Sequence, residues 1–296
     1  MMKKTDWPIR WDLLLRYRLI EIIALWEGRL TTNHICHAFG IGRQQASKDI
    51  NTYLREVAPG NLAYDRHRKG YVPASDFQPA VTRGEPGEYE ELLGRHEALS
   101  QTFESLDIGA PDTGVVPVIR RQARPEMVRG LVRAIREGRC VDLQVVSPEC
   151  PSGWSERFEP HHLVCDRGSW LVRGWSQASD AFCNRLVHRL RGEPRLLARR
   201  SQHHSDDDES WHTQARLVIR PARHLSDGAQ SVIADDYGMA EGRMVLDVRA
   251  ALVPWILDQA GLAHSPTLDL ELELANTEEL TPLLGQEELA GIASAS

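Results

Sequence analysis

The stretch "HAFGIGRQQASKDINTYLREV", residues 37–57, decides how the first third of the chain is read. Gly40 and Gly42 bracket a tight turn in which one of them is free to take a positive φ. Behind that turn Ala46, Ile50, Tyr53 and Leu54 recur at helical spacing on one face, and Ala46 is small enough for another helix to cross closely. The opposite face carries Arg43, Gln44, Gln45, Ser47, Lys48, Asn51 and Thr52. Arginine and glutamine form paired hydrogen bonds with guanine and adenine edges, and side chains near the start of a recognition helix reach the major-groove floor.

Upstream, Leu15, Leu19, Ile22, Ile23 and Trp26 form the apolar stripe of a first helix. The cluster Thr31, Thr32 and Asn33 caps a second, whose Ile35 and Phe39 point inward. Downstream, "GNLAYDRHRKGYVPA" (60–74) reads as two short strands around the basic turn Arg66, His67, Arg68 and Lys69. A basic wing of this kind lies against phosphates and gives affinity without sequence information. Residues 1–80 are therefore expected to form a winged helix-turn-helix that binds DNA. A three-helix packing module with a solvated polar face is the alternative reading of the helices alone.

The charge distribution agrees with this. The chain of 296 residues has a net charge of -7, yet residues 1–80 hold 12 Lys and Arg against 8 Asp and Glu, and residues 115–200 hold 16 against 9. Residues 201–296 reverse the balance, 5 against 17, so two basic modules precede an acidic one. Five scattered cysteines without a C-x-x-C pair argue against a disulfide framework or a zinc knuckle. No apolar run approaches the roughly 18 residues of a membrane helix, and a cytoplasmic location is the default expectation.

Polar stretches rich in breakers, "TRGEPGEYE" (82–90) and "SQHHSDDDES" (201–210), set the expected boundaries. Between residues 81 and 120 a helical linker or dimerisation segment is expected, with Leu92, Leu93, Leu99 and Phe103 at helical spacing before the loop "SLDIGAPDTG" (105–114). Residues 121–200 begin with a helix, "RPEMVRGLVRAIREGR", opened by Pro125 and stopped by Gly138. Then "CVDLQVVS", "SERFEPHHLVCD", "SWLVRGWS" and "FCNRLVHRLRG" read as short strands of a small barrel or curled sheet. Residues 211–296 alternate strands and helices, "QARLVIRP", "DGAQSVIADDYG", "RMVLDVRA", "LVPWILDQAG" and "TLDLELELAN", an α+β order.

One residue in the middle module is anomalous. In "SWLVRGWS" period-2 alternation sets Trp170 and Val172 on one face and Leu171, Arg173 and Trp175 on the other, which leaves a fixed charge in an apolar run. In "NRLVHRL" Arg185, Val187 and Arg189 share a face on the same rule. An unpaired buried charge is expensive, and the neighbouring carboxylates Glu156, Glu159, Asp166 and Asp180 are outnumbered by Arg157, Arg173, Arg185, Arg189 and Arg191. Internal ion pairs, snorkelling to solvent or a bound anion accounts for these guanidinium groups, whose planar fork suits phosphate oxygens. His161 and His162 lack a second ligand pair, and His203 and His204 sit in a polar tract read as solvated, so no metal and no cofactor is expected.

The stretch "SERFEPHHLVCDRGSWLVRGWSQASDAFCNRLVHRL" (155–190) resembles the WYL-domain signature. With "WEGRLTTNHICHAFGIGRQQASKDINTYLREVAPGNLAYDRHRKGYVP" before it and "DYGMAEGRMVLDVRAALVPWILDQAGL" after it, the chain is similar over about residues 10–280 to the WYL regulators of antiphage defence operons, the BrxR/CapW group. The resemblance implies an α+β multidomain chain: a winged helix-turn-helix, a central Sm-like β-barrel and a small C-terminal α/β sandwich of the WCX-like kind that dimerises. It implies a ligand pocket formed by Ser147, Arg157, His161, Trp170, Arg173, Arg185 and Arg189. Leu171 and Val145 stand where the family usually has tyrosines.

The function expected from residues and resemblance together is a non-enzymatic, homodimeric repressor. It binds an inverted repeat and is released by an anionic effector such as a nucleotide, a cyclic oligonucleotide or single-stranded nucleic acid. DNA contacts are expected from Arg43, Gln44, Gln45, Ser47, Lys48, Thr52, Arg66, Arg68 and Lys69. Two rivals stand beside it. A constitutive architectural DNA binder needs no sensor, and a nucleic-acid-processing enzyme needs paired carboxylates or a nucleophile with a base, which have no recognisable spacing here.

Overall fold

A computed structural model describes residues 10–100, 114, 116, 120–166, 169–262 and 271–280. The chain divides into two compact units, Met1–Pro117 and Val118–Ser296.

In the first unit α1 (Trp11–Glu27) ends on Gly28 in the left-handed region, α2 (Thr32–Phe39) ends on Gly40 likewise, and α3 (Arg43–Thr52) follows. Of the two turn glycines it is Gly40, at φ 61, that uses its freedom; Gly42 is the extended N-cap of α3. A widened turn, Tyr53–Val57, continues α3 into the hairpin β1 (Leu62–Asp65) and β2 (Gly70–Pro73). Leu30 pairs with Tyr71 through reciprocal backbone bonds of 2.8 Å, so the hairpin is stitched to the segment between α1 and α2.

The core is wider than the stripe Leu15, Leu19, Ile22, Ile23 and Trp26. Tyr17, Ile20 and Ala24 are buried as well, with Ile35, Ala46, Ile50 and Tyr53; Tyr17 lies against Tyr53, and a further helix, α4 (Pro86–Ser100), also packs on α1. Trp26 is half-exposed and stacks on Tyr89 of α4. A carboxylate unforeseen from the sequence lies at the centre: Glu21 is fully buried and accepts bonds from the Tyr53 hydroxyl and from the backbone of Ala80, Val81 and Thr82. The expected loop 105–114 and Phe103 lie outside the described residues, apart from Gly114.

The second unit opens with α5 (Pro125–Glu137), Pro125 in its first turn and Gly138 left-handed after it. Strands β3 (Arg139–Val145), β4 (Trp154–Asp166), β5 (Ser169–Ser176), β6 (Ala181–Leu186) and β7 (Leu190–Arg200) form one antiparallel sheet in the order β6-β5-β4-β3-β7. Here "NRLVHRL" is not one strand: Val187–Arg189 form a tight 3-10 turn that carries the chain from one edge of the sheet to the other. Four strand spacings would separate those edges by about 19 Å in a flat sheet, whereas three such residues rise only about 6 Å. The sheet is therefore strongly curled, but β6 and β7 are not hydrogen-bonded to each other among the described residues. Its core joins Met127, Leu131 and Ala134 of α5 to Val141, Leu143, Phe158 and Val172.

A short α6 (Glu209–His212) leads into a three-stranded sheet, order β10-β8-β9, of β8 (Gln214–Pro221), β9 (Met244–Arg249) and β10 (Leu272–Leu274). Helix α7 (Asp227–Asp236) connects β8 to β9. Ala215 and Leu217, alternate residues of β8, form a core with Val253 and Leu257 of α8 (Val253–Gln259) and Leu280 of α9 (Thr277–Leu280). None of the helices among the described residues is long and apolar enough to cross a membrane.

Candidate nucleic-acid interface and buried arginine site

On α3 burial follows the helical period. Ala46, Asp49 and Ile50 are buried, while Arg43, Gln44, Gln45, Lys48 and Asn51 are exposed and Ser47 and Thr52 half-buried. A shallow groove is lined by Gln44, Ser47, Lys48, Asn51, Thr52 and Arg55, the last a residue not foreseen from the sequence. Asp49 orients the helix from beneath: its carboxylate accepts from Gln45 Nε2 at 2.7 Å and lies 2.7 Å from Arg16 Nε on α1. Gln45 is thus engaged on its own helix, whereas Gln44 and Lys48 make no side-chain hydrogen bond among the described residues.

The wing turn is built by Asp65, whose carboxylate accepts the backbone N–H of His67 at 2.7 Å and of Arg68 at 3.0 Å. Those bonds, that from Arg68 foremost, hold its carboxyl below the ordinary aspartate range. Lys69 takes a left-handed φ of 51°, and Gly70 follows because a Cβ there would lie 2.8 Å from the Leu30 carbonyl oxygen. Arg66, His67, Arg68 and Lys69 are all exposed.

In the second unit Arg173 is buried, with 1% of its surface exposed, and it has a counter-ion. Its Nε donates to Asp208 Oδ2 at 2.8 Å and its Nη2 to Asp208 Oδ1 at 3.0 Å, a bidentate pair. The same carboxylate faces His161 Nε2 at 3.0 Å. Burial alone would push the Asp208 carboxyl up. The bonds from His161 and Arg173 outweigh it and hold the group far below the carboxylate range.

The sheet is shaped for this contact. A bulge in β4 leaves His161 between the pairs Pro160–Gly174 and His162–Arg173, which turns its ring toward Asp208. Gly174 accommodates the bulge, since a Cβ there would lie 2.4 Å from the Glu159 carbonyl oxygen.

This corrects the reading of residues 201–210 as a solvated tract. Ser201 and Asp208 are buried, and His203 stacks on Trp175 with ring centres 4.0 Å apart. Glu159 Oε2 accepts the N–H groups of Gln202 and His203, each at 2.8 Å. The segment lies on the Leu171–Arg173–Trp175 face of β5, where Arg173 meets Asp208, Trp175 stacks on His203 and Glu159 of the neighbouring strand accepts from its backbone. Asp208 also caps α6 and accepts from the Trp211 N–H at 3.2 Å, while the Arg249 guanidinium sits 4.5 Å over the Trp211 ring.

The other expected pocket residues do not converge there. Trp170 packs against the α5 core on the opposite face of β5. On that same face Arg185 forms a bidentate pair with buried Glu156, both contacts at 2.9 Å. Arg157, half-exposed, faces Asp142 at 3.5 Å. Ser147 and Arg189 form a separate place beside the β3–β4 loop, where they hold the Glu149 carboxyl low, Ser147 by a hydrogen bond and Arg189 by charge. The surplus of arginines over carboxylates therefore does not leave Arg173 or Arg185 without an anion: the count of sequence neighbours omitted Asp208, 35 residues away. Among the described residues the seven thus fall into separate places: His161 and Arg173 meet at Asp208, and Ser147 and Arg189 at Glu149. Among the described residues no group of three His, Cys, Asp or Glu is placed to hold a metal.

Comparison with known proteins separates the two ends of the chain. Residues 12–95 match the BrxR transcriptional regulator winged helix-turn-helix domain, and residues 214–280 the BrxR transcriptional regulator C-terminal dimerization domain. The DNA-binding transcriptional repressor CapW of Escherichia coli strain KTE188 is 28% identical over 286 residues, 94% of this chain and 93% of its own. CapW proteins of Stenotrophomonas maltophilia and Pseudomonas aeruginosa are 26% and 27% identical, over 92% and 93% of each chain. A solved structure, proteasome accessory factor B/C of Arthrobacter aurescens, aligns at 17% identity with a TM-score of 0.27, too slight a likeness to bear on the fold; this chain spans 51% of its length. The chain thus carries the winged helix-turn-helix domain and the C-terminal dimerization domain of the BrxR transcriptional regulators, and is related along nearly its whole length to the CapW repressors.

Proposed function

We propose that this chain is a homodimeric DNA-binding transcription repressor that reads an inverted repeat with α3 and the basic wing. The observation that carries the reading is the polar face of α3, with Gln44 and Lys48 exposed over a fully buried Ala46 and Ile50, followed directly by the exposed cations of the wing. Gln44, Lys48, Arg43, Ser47 and Thr52 would read base edges, with Gln45 held by Asp49, and Arg66, Arg68 and Lys69 would contact phosphates. One such helix reads only a few base pairs, so two-fold symmetry is needed to specify a site.

The C-terminal domain would supply that symmetry. Val232, Tyr237, Val245 and Leu246 are large apolar residues left exposed in it, by 60%, 48%, 51% and 36%. The relatives' role as repressors supports the sign of regulation, and the resemblance to regulators of antiphage defence operons extends the proposal to such an operon.

The middle sheet would sense an anionic effector at Arg173 and His161 and so release the operator. To move occupancy from 99:1 to 1:99 the effector must favour the released arrangement by about 5.5 kcal/mol. Selection of bound duplexes from a random pool tests the DNA-reading part. The expected consensus is an inverted repeat that a Gln44→Ala/Lys48→Ala variant no longer enriches; a pool without consensus would overturn it.

A further inference from the structure

The Arg173 guanidinium already holds an oxyanion in the bidentate geometry that an external one would use, and that oxyanion belongs to the chain itself. We propose that the Asp208 carboxylate is a resident substitute for the effector, so that effector and Asp208 compete for Arg173. This rests on the proposed effector sensing and states how the site is regulated. The ligand class follows from the contact: two oxygens of one planar carboxylate, or of a phosphate, spaced to take Nε–H and Nη2–H together.

The consequence of losing Asp208 is transmitted by covalent and packing contacts. Asp208 begins α6, whose Trp211 lies under Arg249 at the end of β9, a strand of the domain that matches the BrxR dimerization model. Withdrawing Asp208 from Arg173 removes one of the ties between the start of α6 and the sheet, while Trp211 still packs on His162 with ring centres 4.4 Å apart. Glu159, on the neighbouring strand, still holds Gln202 and His203, so the segment would be loosened at Asp208 and remain tethered at its start. An effector that takes Arg173 thereby changes what α6 presents to the dimerising domain without unfolding the sheet. His161 adds selectivity, because its Nε2 faces the same carboxylate and would donate to whichever anion replaced it.

The experiment uses the full chain and two small anions, acetate and inorganic phosphate. Asp208→Ser keeps a residue type favoured at a helix N-cap while removing the carboxylate. It is expected to melt below the unsubstituted protein. It is also expected to regain stability saturably as either anion is added at constant ionic strength, with at least a tenfold tighter apparent Kd than the unsubstituted protein. Asp208→Glu, which retains a carboxylate, is expected to show no such gain, and Asp208→Ser/Arg173→Met to lose it.

An Asp208→Ser protein with no anion-dependent gain beyond the unsubstituted one overturns the proposal, as does a gain that survives Arg173→Met. If Asp208→Ser is insoluble, refolding it with and without phosphate decides: recovery only with the anion supports the competition, and failure in both overturns it. Anion uptake that leaves operator release unchanged would overturn effector-gated repression and leave the competition standing. Operator release triggered by an infected-cell extract, with no anion gain in Asp208→Ser, would overturn the competition alone.

Discussion

Replacing Glu21 by Gln tests the account of how the winged helix is held together. Oε1 accepts the Tyr53 hydroxyl at 2.9 Å and Ala80 N–H at 2.8 Å, Oε2 accepts Thr82 N–H at 2.8 Å and its hydroxyl at 2.7 Å, and Val81 N–H lies 3.1 Å from both. A glutamine keeps one oxygen and turns an NH2 toward the other set. If that is the Thr82 side, the threonine hydroxyl can rotate to accept, but its backbone N–H is orphaned at about 1–3 kcal/mol. The surviving bonds weaken from charge-assisted to neutral, about 1 kcal/mol each, and the lower cost of burying an amide offsets part of this. The net loss is about 3 kcal/mol, which for a unit of this size lowers Tm by roughly 10–15 °C. Thermal melting of the full chain and hydrogen exchange at residues 80–82 read it out. A melting point within ~2 °C of the unsubstituted protein, with unchanged protection, would refute the reasoning.

Other consequences follow from the second unit. Tyr237→Glu/Val245→Glu places two charges among the exposed apolar residues of the C-terminal domain; the expected result is a monomer by light scattering with DNA affinity lowered at least tenfold, and a stable dimer would move the interface elsewhere. Asp208 and Glu159 both have carboxyl groups lowered in the folded chain, so each contributes stability above about pH 4 that is lost as pH falls through its folded value. For Glu159 burial opposes the shift and the N–H groups of His203 and Gln202 outweigh it. Acid titration of the far- and near-ultraviolet spectra is expected to show loss of structure only below that point, with a shallower acid limb in Asp208→Asn; equal limbs would contradict the pairing.

Much of the architecture was legible because it rests on local rules. The 3.6-residue period of Ala46, Ile50 and Tyr53, the glycine after α2, Pro125 and Gly138 around α5, and the alternation in β8 each depend on a few neighbours. What stayed hidden depends on partners far along the chain. Glu21 lies outside the apolar stripe of its helix, and nothing nearby signals that backbone 60 residues later will surround it. Arg173 was visible as an anomaly, but its partner lay in "DDDES", a run whose composition marks a solvated tract. The equal spacing of Arg185 and Arg189 suggested a shared face until the chain turned at Val187, where edge strands had to be joined.

Hydroxyl-radical footprinting on a selected duplex tests the central claim, that α3 and the wing read DNA as a symmetric pair. The account predicts two protected half-sites with centres about 10 base pairs apart or a multiple of that, lost in Gln44→Ala/Lys48→Ala while light scattering still reports a dimer. Unchanged protection by that double variant, or protection without two-fold spacing, would contradict it.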